Sequence, residues 1–165
     1  MPDYLLSESD LAQQRGAPFT TEEAHQAGGT IRRRCGWHIA PARTETLTLD
    51  SIGGRVLMLP SLLVKNVTEV RDVTGSEPRV LAGWRWSADG MIEARGYWPR
   101  GFRAVEVDLV HGYDECPDEL KAVAADVARR RVSQEAIGGR SVSYVAGSEN
   151  YLDDVLAAFK IQARP

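Results

Sequence analysis

Cysteine and histidine are the residues of this chain whose types could bind a metal ion. Cys35 and His38 lie three residues apart, and His111 and Cys116 could supply two further ligands. These spacings match no common zinc module. The alternative is that Cys35 is a buried apolar residue and that His38 ends a helix near its negative pole. A Cys–His catalytic pair would need a third group to orient the histidine, and nothing nearby suggests one.

Four aromatic residues lie close together in the sequence: Trp84, Trp86, Tyr97 and Trp98. Such a cluster could stack on nucleic-acid bases. It could equally form the core of a small sheet, or a contact between subunits, where Trp and Tyr are enriched. The sequence leaves these three interpretations open. As a hypothesis we assign all four residues to a subunit contact.

The charged residues do not form a surface typical of tight nucleic-acid binding. The net charge is -3, and the only Lys/Arg runs are Arg32–Arg34 and Arg129–Arg131. Each run falls in a predicted helix, so its side chains spread around the helix. Carboxylates crowd the turn before the third predicted helix, where the helix N-terminus favours negative charge. Because tight binding to DNA needs many phosphate contacts, we expect that this protein does not bind DNA tightly.

Catalytic and cofactor-binding motifs are missing from the sequence. Gly28-Gly29-Thr30 and Gly138-Gly139-Arg140 lack the strand–loop–helix context of a phosphate-binding loop. A nucleophile elbow of the Gly-x-Ser-x-Gly type does not occur. We therefore expect no cofactor, no metal and no enzymatic activity.

Length and composition indicate a globular chain, which we treat as a single domain over residues 1–165. A chain of this length can bury a sizeable core without disulfides, and its two cysteines imply no disulfide framework. Residues 1–10 do not follow the pattern of a signal peptide, and no window of eighteen apolar residues predicts a membrane span.

The pattern along the chain predicts helices, then strands, then helices. Helices are expected within 7–40, the first from Ser7 to Arg15 and the second after a capping box at Thr20 and Glu23. A block of five or six antiparallel strands is expected within 44–111. It begins with a hairpin in which 45–50 pairs with 55–59 through a turn at 51–54. Two more helices are expected at 116–133 and 148–161.

This order is typical of an α+β fold and not of a nucleotide-binding sheet. We expect the helices from both ends of the chain to pack together and to carry the strands as an insertion. In the last strand Val105, Val107 and Leu109 alternate with Glu106 and Asp108, which predicts one buried and one solvated face.

Several segments, in order, resemble head-to-tail adaptor proteins of tailed bacteriophages, also called connector or head-completion proteins, of the actinobacterial siphophage type. The resemblance covers residues 20–160 and includes no catalytic signature. The segments are IRRRCGWHIAP (31–41), Gly53-Gly54, LMLPSLLVKNVTEV (57–70), Asp89-Gly90, GYWP (96–99), VEVDLVHGYDECPDEL (105–120) and a final helix from near Tyr151.

The resemblance implies a structural protein of the virion. About twelve copies would form a closed ring under the capsid portal, completing the DNA-filled head. The partners would be the portal protein, a stopper or tail-terminator protein, and other copies of the chain, with genomic DNA passing through the lumen without sequence-specific binding. The protein would lie at the head–tail interface, after assembly in the host cytoplasm.

Within that framework, we expect the last helix and the tail to dock on the portal. The residues assigned to this contact are Tyr151, Leu152, Val155, Phe159, Lys160 and Arg164. The competing interpretation is a small cytoplasmic binding module or an enzyme of unrecognised type, which would need a deep pocket with convergent polar groups.

Overall fold

The computed structural model describes residues 4–136 and 147–161, with side chains for 4–129 and 152–161. The chain forms two compact units. The helical unit comprises Met1–Pro41 and Asp114–Pro165, and the β unit comprises Ala42–Tyr113. Among the described residues there are four helices and seven strands in antiparallel sheets, which confirms the predicted α+β fold.

The four helices of the helical unit come from both ends of the chain. They are α1 (Glu8–Leu11), α2 (Thr21–Cys35), α3 (Asp118–Ala136) and α4 (Gly147–Ala158). The first is a single turn, so the expectation of a helix to Arg15 was wrong. Backbone bonds from Gln14 to Leu11 and from Ala17 to Gln14 replace the helical ladder there. Helix α3 packs against the other three, and its buried stripe includes Leu120, Val123 and Ala124.

Helix α2 begins and ends as its sequence dictates. The Glu23 amide donates to the Thr20 hydroxyl, and the Thr20 amide donates to the Glu23 carboxylate, so the predicted capping box is present. At the other end Gly36 adopts a left-handed conformation (φ 81°) and its amide donates to the Arg32 carbonyl. Gly28 lets the chain approach closely, since a Cβ there would lie 3.1 Å from Cβ of Leu5.

The β unit holds two sheets. The strands are β1 (Arg43–Ile52), β2 (Val56–Met58), β3 (Val64–Asp72), β4 (Arg79–Val80), β5 (Trp84–Ser87), β6 (Met91–Ala94) and β7 (Arg100–His111). The order is β1-β7-β3-β4 in the first sheet and β2-β6-β5 in the second. The short strands β4 and β5 raise the number beyond the five or six expected.

The predicted hairpin between 45–50 and 55–59 was wrong. Strand β1 pairs with β7, so that Leu47 lies opposite Val107, whereas β2 pairs with β6 in the other sheet. The turn at Gly53, with φ 82°, therefore moves the chain from one sheet to the other. Strand β1 pairs with the 12-residue β7 and not with the nearby 3-residue β2, because the longer strand offers many more ladder hydrogen bonds.

A shared core lies between the two sheets. Val105, Val107 and Leu109 of β7 are fully buried, and the alternate residues Glu106 and Asp108 reach the solvated face, as predicted. The second sheet contributes residues such as Leu57 and Ile92. Burial of these side chains from both sheets supplies the main stabilising free energy of the unit.

Candidate assembly surfaces

Cys35 and His38 lie inside the helical unit. Cys35 is fully buried on α2, and burial raises the pKa of its thiol to about 11. The buried His38 ring has Nε2 within hydrogen-bond distance of the Pro41 carbonyl oxygen. A thiol with this pKa is protonated near neutral pH, and so it is a poor metal ligand and a poor nucleophile.

His111 and Cys116 belong to different units. Burial raises the pKa of the Cys116 thiol to about 12. In the β unit, His111 Nε2 lies 2.9 Å from Oε2 of Glu45. Burial by itself would raise the pKa of Glu45. Hydrogen bonds from Arg43 and His111 outweigh the effect of burial, and the net result is a pKa below the ordinary value. Within the described ranges, no three His, Cys, Asp or Glu side chains converge on a point that a metal ion could occupy.

The first arginine run holds a helix end together. Arg32 Nε donates to the His38 carbonyl at 2.8 Å, and its Nη2 donates to the Ala40 carbonyl. Arg33 and Arg34 are exposed, with Arg34 3.4 Å from Asp153. Of the second run, Arg129 pairs with Asp126, and the side chains of Arg130 and Arg131 lie outside the described residues.

The four aromatic residues of the sequence cluster divide between core and surface. Trp98 is 3 % exposed and lies in the core between the sheets. Trp84 packs against that core and donates its indole N–H to the Leu81 carbonyl at 2.9 Å. Trp98 is therefore a core residue, which speaks against its assignment to a subunit contact, whereas Trp84 is half-buried against that core and its assignment stays a prediction. Trp86 is about one third exposed and Tyr97 is 80 % exposed, so these two stay candidates for a contact.

The outer face of the second sheet forms a shallow apolar groove beside Trp86. Val56 and Met91 line it, together with Ser87. Arg85 and Arg55 both reach Glu93 at its edge, at 2.6 and 3.7 Å. The carboxylate of Glu93 at this groove is therefore paired with two guanidinium groups.

A β-bulge creates the most exposed apolar surface of the β unit. Between the pairs Leu49–Val105 and Ser51–Gly101, one residue of β1 faces three residues of β7. The single residue, Asp50, accepts a hydrogen bond from the Arg103 amide at 2.7 Å. A bulge bends its strand and re-aims side chains.

At this bulge Phe102 is 92 % exposed and Ile52 is 89 % exposed. We call the set Ile52, Arg100, Phe102 and Arg103 the bulge tip. None of these four residues was predicted to be functional from the sequence. A signal was present, because Arg-Gly-Tyr at 95–97 is followed by Arg-Gly-Phe at 100–102.

The solvated face of the first sheet is organised around one arginine. Arg71 on β3 donates to Asp108 on β7 and pairs also with Glu69 and Glu106. The pKa of Asp108 is lowered, chiefly by the hydrogen bonds from Arg71 and then by the one from Thr46. Three carboxylates around one guanidinium group leave this face acidic.

The last helix turns much of its apolar side into the helical unit. Leu152 and Leu156 are buried, whereas Val155 and Phe159 are half-buried and Lys160 is exposed. The Trp37 indole donates to the Phe159 carbonyl at 2.7 Å. Two further residues assigned to portal docking, Tyr151 and Arg164, have side chains outside the described residues. No helix among the described residues is long and apolar enough to cross a membrane.

Three solved chains that share this fold come from gene transfer agent particles. A chain from the neck of an empty gene transfer agent (GTA) particle, computed with C6 symmetry, superposes with a TM-score of 0.67 at 19% identity. That match covers 99% of this chain and 93% of the other. A chain from the virion of the native GTA particle gives a TM-score of 0.68 at 19% identity, covering 100% and 94%.

A third neighbour lies in the neck of the native GTA particle computed with C12 symmetry. Its TM-score is 0.63 at 21% identity, covering 88% of this chain and 83% of that chain. Neither a protein-family model nor a curated protein sequence matches the chain. At these identities the neighbours establish the shared fold, over nearly the whole chain.

Proposed function

We propose that this chain is a structural neck protein of a phage-like particle: a head-to-tail adaptor that forms a ring beneath the capsid portal. The observation that carries the proposal is the match of 99–100% of the chain, at TM-scores of 0.67–0.68, to chains of GTA particles, one of them from the neck. Because both units of the chain take part in the match, the likeness extends beyond a common small domain. The finer assignment to actinobacterial siphophages rests on the sequence segments alone.

The proposed ring contains about twelve copies around an open channel. Support for a ring comes from the C6 and C12 symmetries of the neck structures that share the fold. Identical subunits related by a rotation close into a ring through head-to-tail contacts. The ring would lie in the virion at the head–tail interface, after assembly in the host cytoplasm, and its role would be structural and not enzymatic.

The acidic overall charge suits a channel through which DNA slides. With a net charge of -3, the subunit offers no excess of cations to hold phosphates. In this proposal genomic DNA passes through the lumen without sequence-specific binding. The portal protein lies on one side of the ring and the stopper or tail terminator on the other.

The portal contact is proposed to use the last helix and the residues after it. Val155, Phe159 and Lys160 are at least partly exposed. Leu152 is buried, so its side chain could reach a portal only if α4 leaves its present position. Deletion of residues 150–165 should abolish binding to the portal, and a deletion variant that still binds would remove this helix from the proposal.

The proposal is tested by mixing the chain with the portal protein of the same particle. We expect the two to co-elute in size-exclusion chromatography with light scattering, at a mass that corresponds to a ring on a portal. A monomeric elution of the chain alone decides nothing, since assembly can await the portal. The absence of any complex over a range of salt concentrations would contradict the proposal.

A further inference from the structure

The bulge tip combines exposed apolar side chains with arginines. Phe102 and Ile52 are 92 % and 89 % exposed. Within the described residues, the guanidinium groups of Arg100 and Arg103 have no ion-pair partner. Aromatic residues and arginine are the types enriched at the centres of protein interfaces.

The tip is held in place by the backbone. Arg103 has a φ of 49°, a left-handed conformation that is uncommon for a residue with a side chain. The bond from its amide to Asp50 Oδ1, at 2.7 Å, fixes this conformation. A hydrophobic side chain held out into water by a strained bulge is a feature that assembly would explain, because strained backbone is concentrated at functional positions.

Charge decides between two apolar grooves that could receive the tip. In the groove beside Trp86 the carboxylate of Glu93 is already paired with Arg85 and Arg55, so it does not offer a free partner to the arginines of the tip. The other groove lies between α1 and α2. It is lined by Ala12, Ala17, Pro18 and Phe19, with Glu8 and Ser9 on its rim.

The groove between α1 and α2 has the complementary character. Glu8 is exposed and accepts a hydrogen bond from the Thr21 hydroxyl, which fixes the carboxylate at the start of α2. Glu22 and Glu23 follow in the first turn of that helix. The exposed Ala12 and Ala17 leave room beside Phe19 for a large side chain.

We infer that the bulge tip of one copy docks into the groove between α1 and α2 of a second copy, with Phe102 in the groove and Arg100 or Arg103 beside Glu8. The inference rests on the proposed function, since it names the contact between ring subunits. The contact is head-to-tail: each copy offers its tip to one neighbour and its groove to the other, which is the arrangement that closes a ring.

Cysteine pairs test the contact in the full-length chain. One sample of the chain carries Phe102→Cys and another carries Ala12→Cys. The two samples are mixed, with and without the portal protein, and then oxidised. We expect a disulfide-linked dimer of the two variants. The native Cys35 and Cys116 are buried and stay protonated near neutral pH, so they should not contribute. The matched control replaces Ala12→Cys by Ser76→Cys, an exposed turn position of the β unit, and should give no link.

A charge exchange tests the polar half of the contact. Arg103→Glu should weaken association between copies at least about tenfold, because it places two carboxylates against each other. Adding Glu8→Arg to the same chain should restore association. Restoration by the double variant separates a direct contact from a general effect on folding.

The possible results separate this inference from the proposed function. If electron microscopy shows rings but no disulfide forms between Phe102→Cys and Ala12→Cys, the proposed contact is overturned and the proposed ring is kept. If neither a ring on the portal nor this disulfide forms, both the contact and the proposed function are overturned. A third result is that the Arg100→Glu and Arg103→Glu variants lose DNA binding and that no disulfide forms between copies. The tip would then be a DNA contact, and its assignment to a second copy would be overturned.

Discussion

Two N–H···O bonds join the guanidinium group of Arg71 to the carboxylate of Asp108, at 2.6 and 2.9 Å. The two residues lie on the neighbouring strands β3 and β7 and face solvent only in part. Glu69 and Glu106 pair with the same arginine. Arg71 therefore neutralises a group of carboxylates that would otherwise repel one another across the sheet.

Loss of this arginine should destabilise the β unit. Arg71→Met removes the charge-assisted bonds and leaves three carboxylates together, so the free energy of unfolding should fall by about 2 kcal/mol. The measurement is urea denaturation. Arg85→Met is the matched control, because Arg85 is 84% exposed in its pair with Glu93 and should contribute nothing measurable. Equal effects of the two variants would contradict the account.

The same pair predicts how stability depends on pH. The pKa of Asp108 is lower in the folded chain than the ordinary value of about 3.9 expected in the unfolded chain. Its contribution is thus present above the unfolded pKa and is lost as pH falls through the folded pKa.

Asp108→Asn should therefore cost stability at pH 7 and cost progressively less as the pH drops below about 4. Urea denaturation of both proteins at a series of pH values measures this difference. A difference that stayed constant down to pH 2 would show that the ionised carboxylate of Asp108 does not contribute to stability.

Gly90 should be irreplaceable in the turn before β6. It has a φ of 82°, and a Cβ there would lie 2.1 Å from the Ser61 carbonyl oxygen. Gly90→Ala should lower the free energy of unfolding by at least about 2 kcal/mol, through backbone strain and overpacking. Gly96→Ala is the control, since nothing lies within 4 Å of its added Cβ. Thermal unfolding of both variants checks this, and an unchanged Tm for Gly90→Ala would be contrary to the structure.

Sequence patterns predicted the local parts of this fold. The capping box of α2 and the alternation of β7 follow from interactions between residues a few positions apart, and both were confirmed. The Asp89-Gly90 turn belongs to the same class. Such features need only the preferences of a short segment.

Pairings between distant segments could not be predicted in this way. The partner of β1 is β7, about fifty residues further along, and the choice over the adjacent β2 depends on the whole unit. Burial was equally hard to assign, since Trp84 and Tyr97 look alike in sequence and differ in the fold. The bulge at Phe102 depends on the register of β1 against β7, and so its exposure followed only from the structure.

Exposed and buried aromatic residues should respond differently to substitution. Trp86→Ala and Tyr97→Ala should change the free energy of unfolding by no more than about 0.5 kcal/mol, and should weaken assembly with the portal. Trp98→Ala should lower the free energy of unfolding by about 3–5 kcal/mol, because Trp98 is 3 % exposed in the core. Chemical denaturation and co-elution with the portal measure the two effects. Full assembly by both surface variants would remove these residues from the subunit contact.

Whether this chain forms a ring on a portal can be seen by cryo-electron microscopy of the chain mixed with the portal protein of the same particle. We expect a ring of adaptor subunits on the portal around an open channel, with rotational symmetry of the kind used for the C6 and C12 neck structures that share the fold. A portal that stays bare over a range of salt concentrations would contradict it.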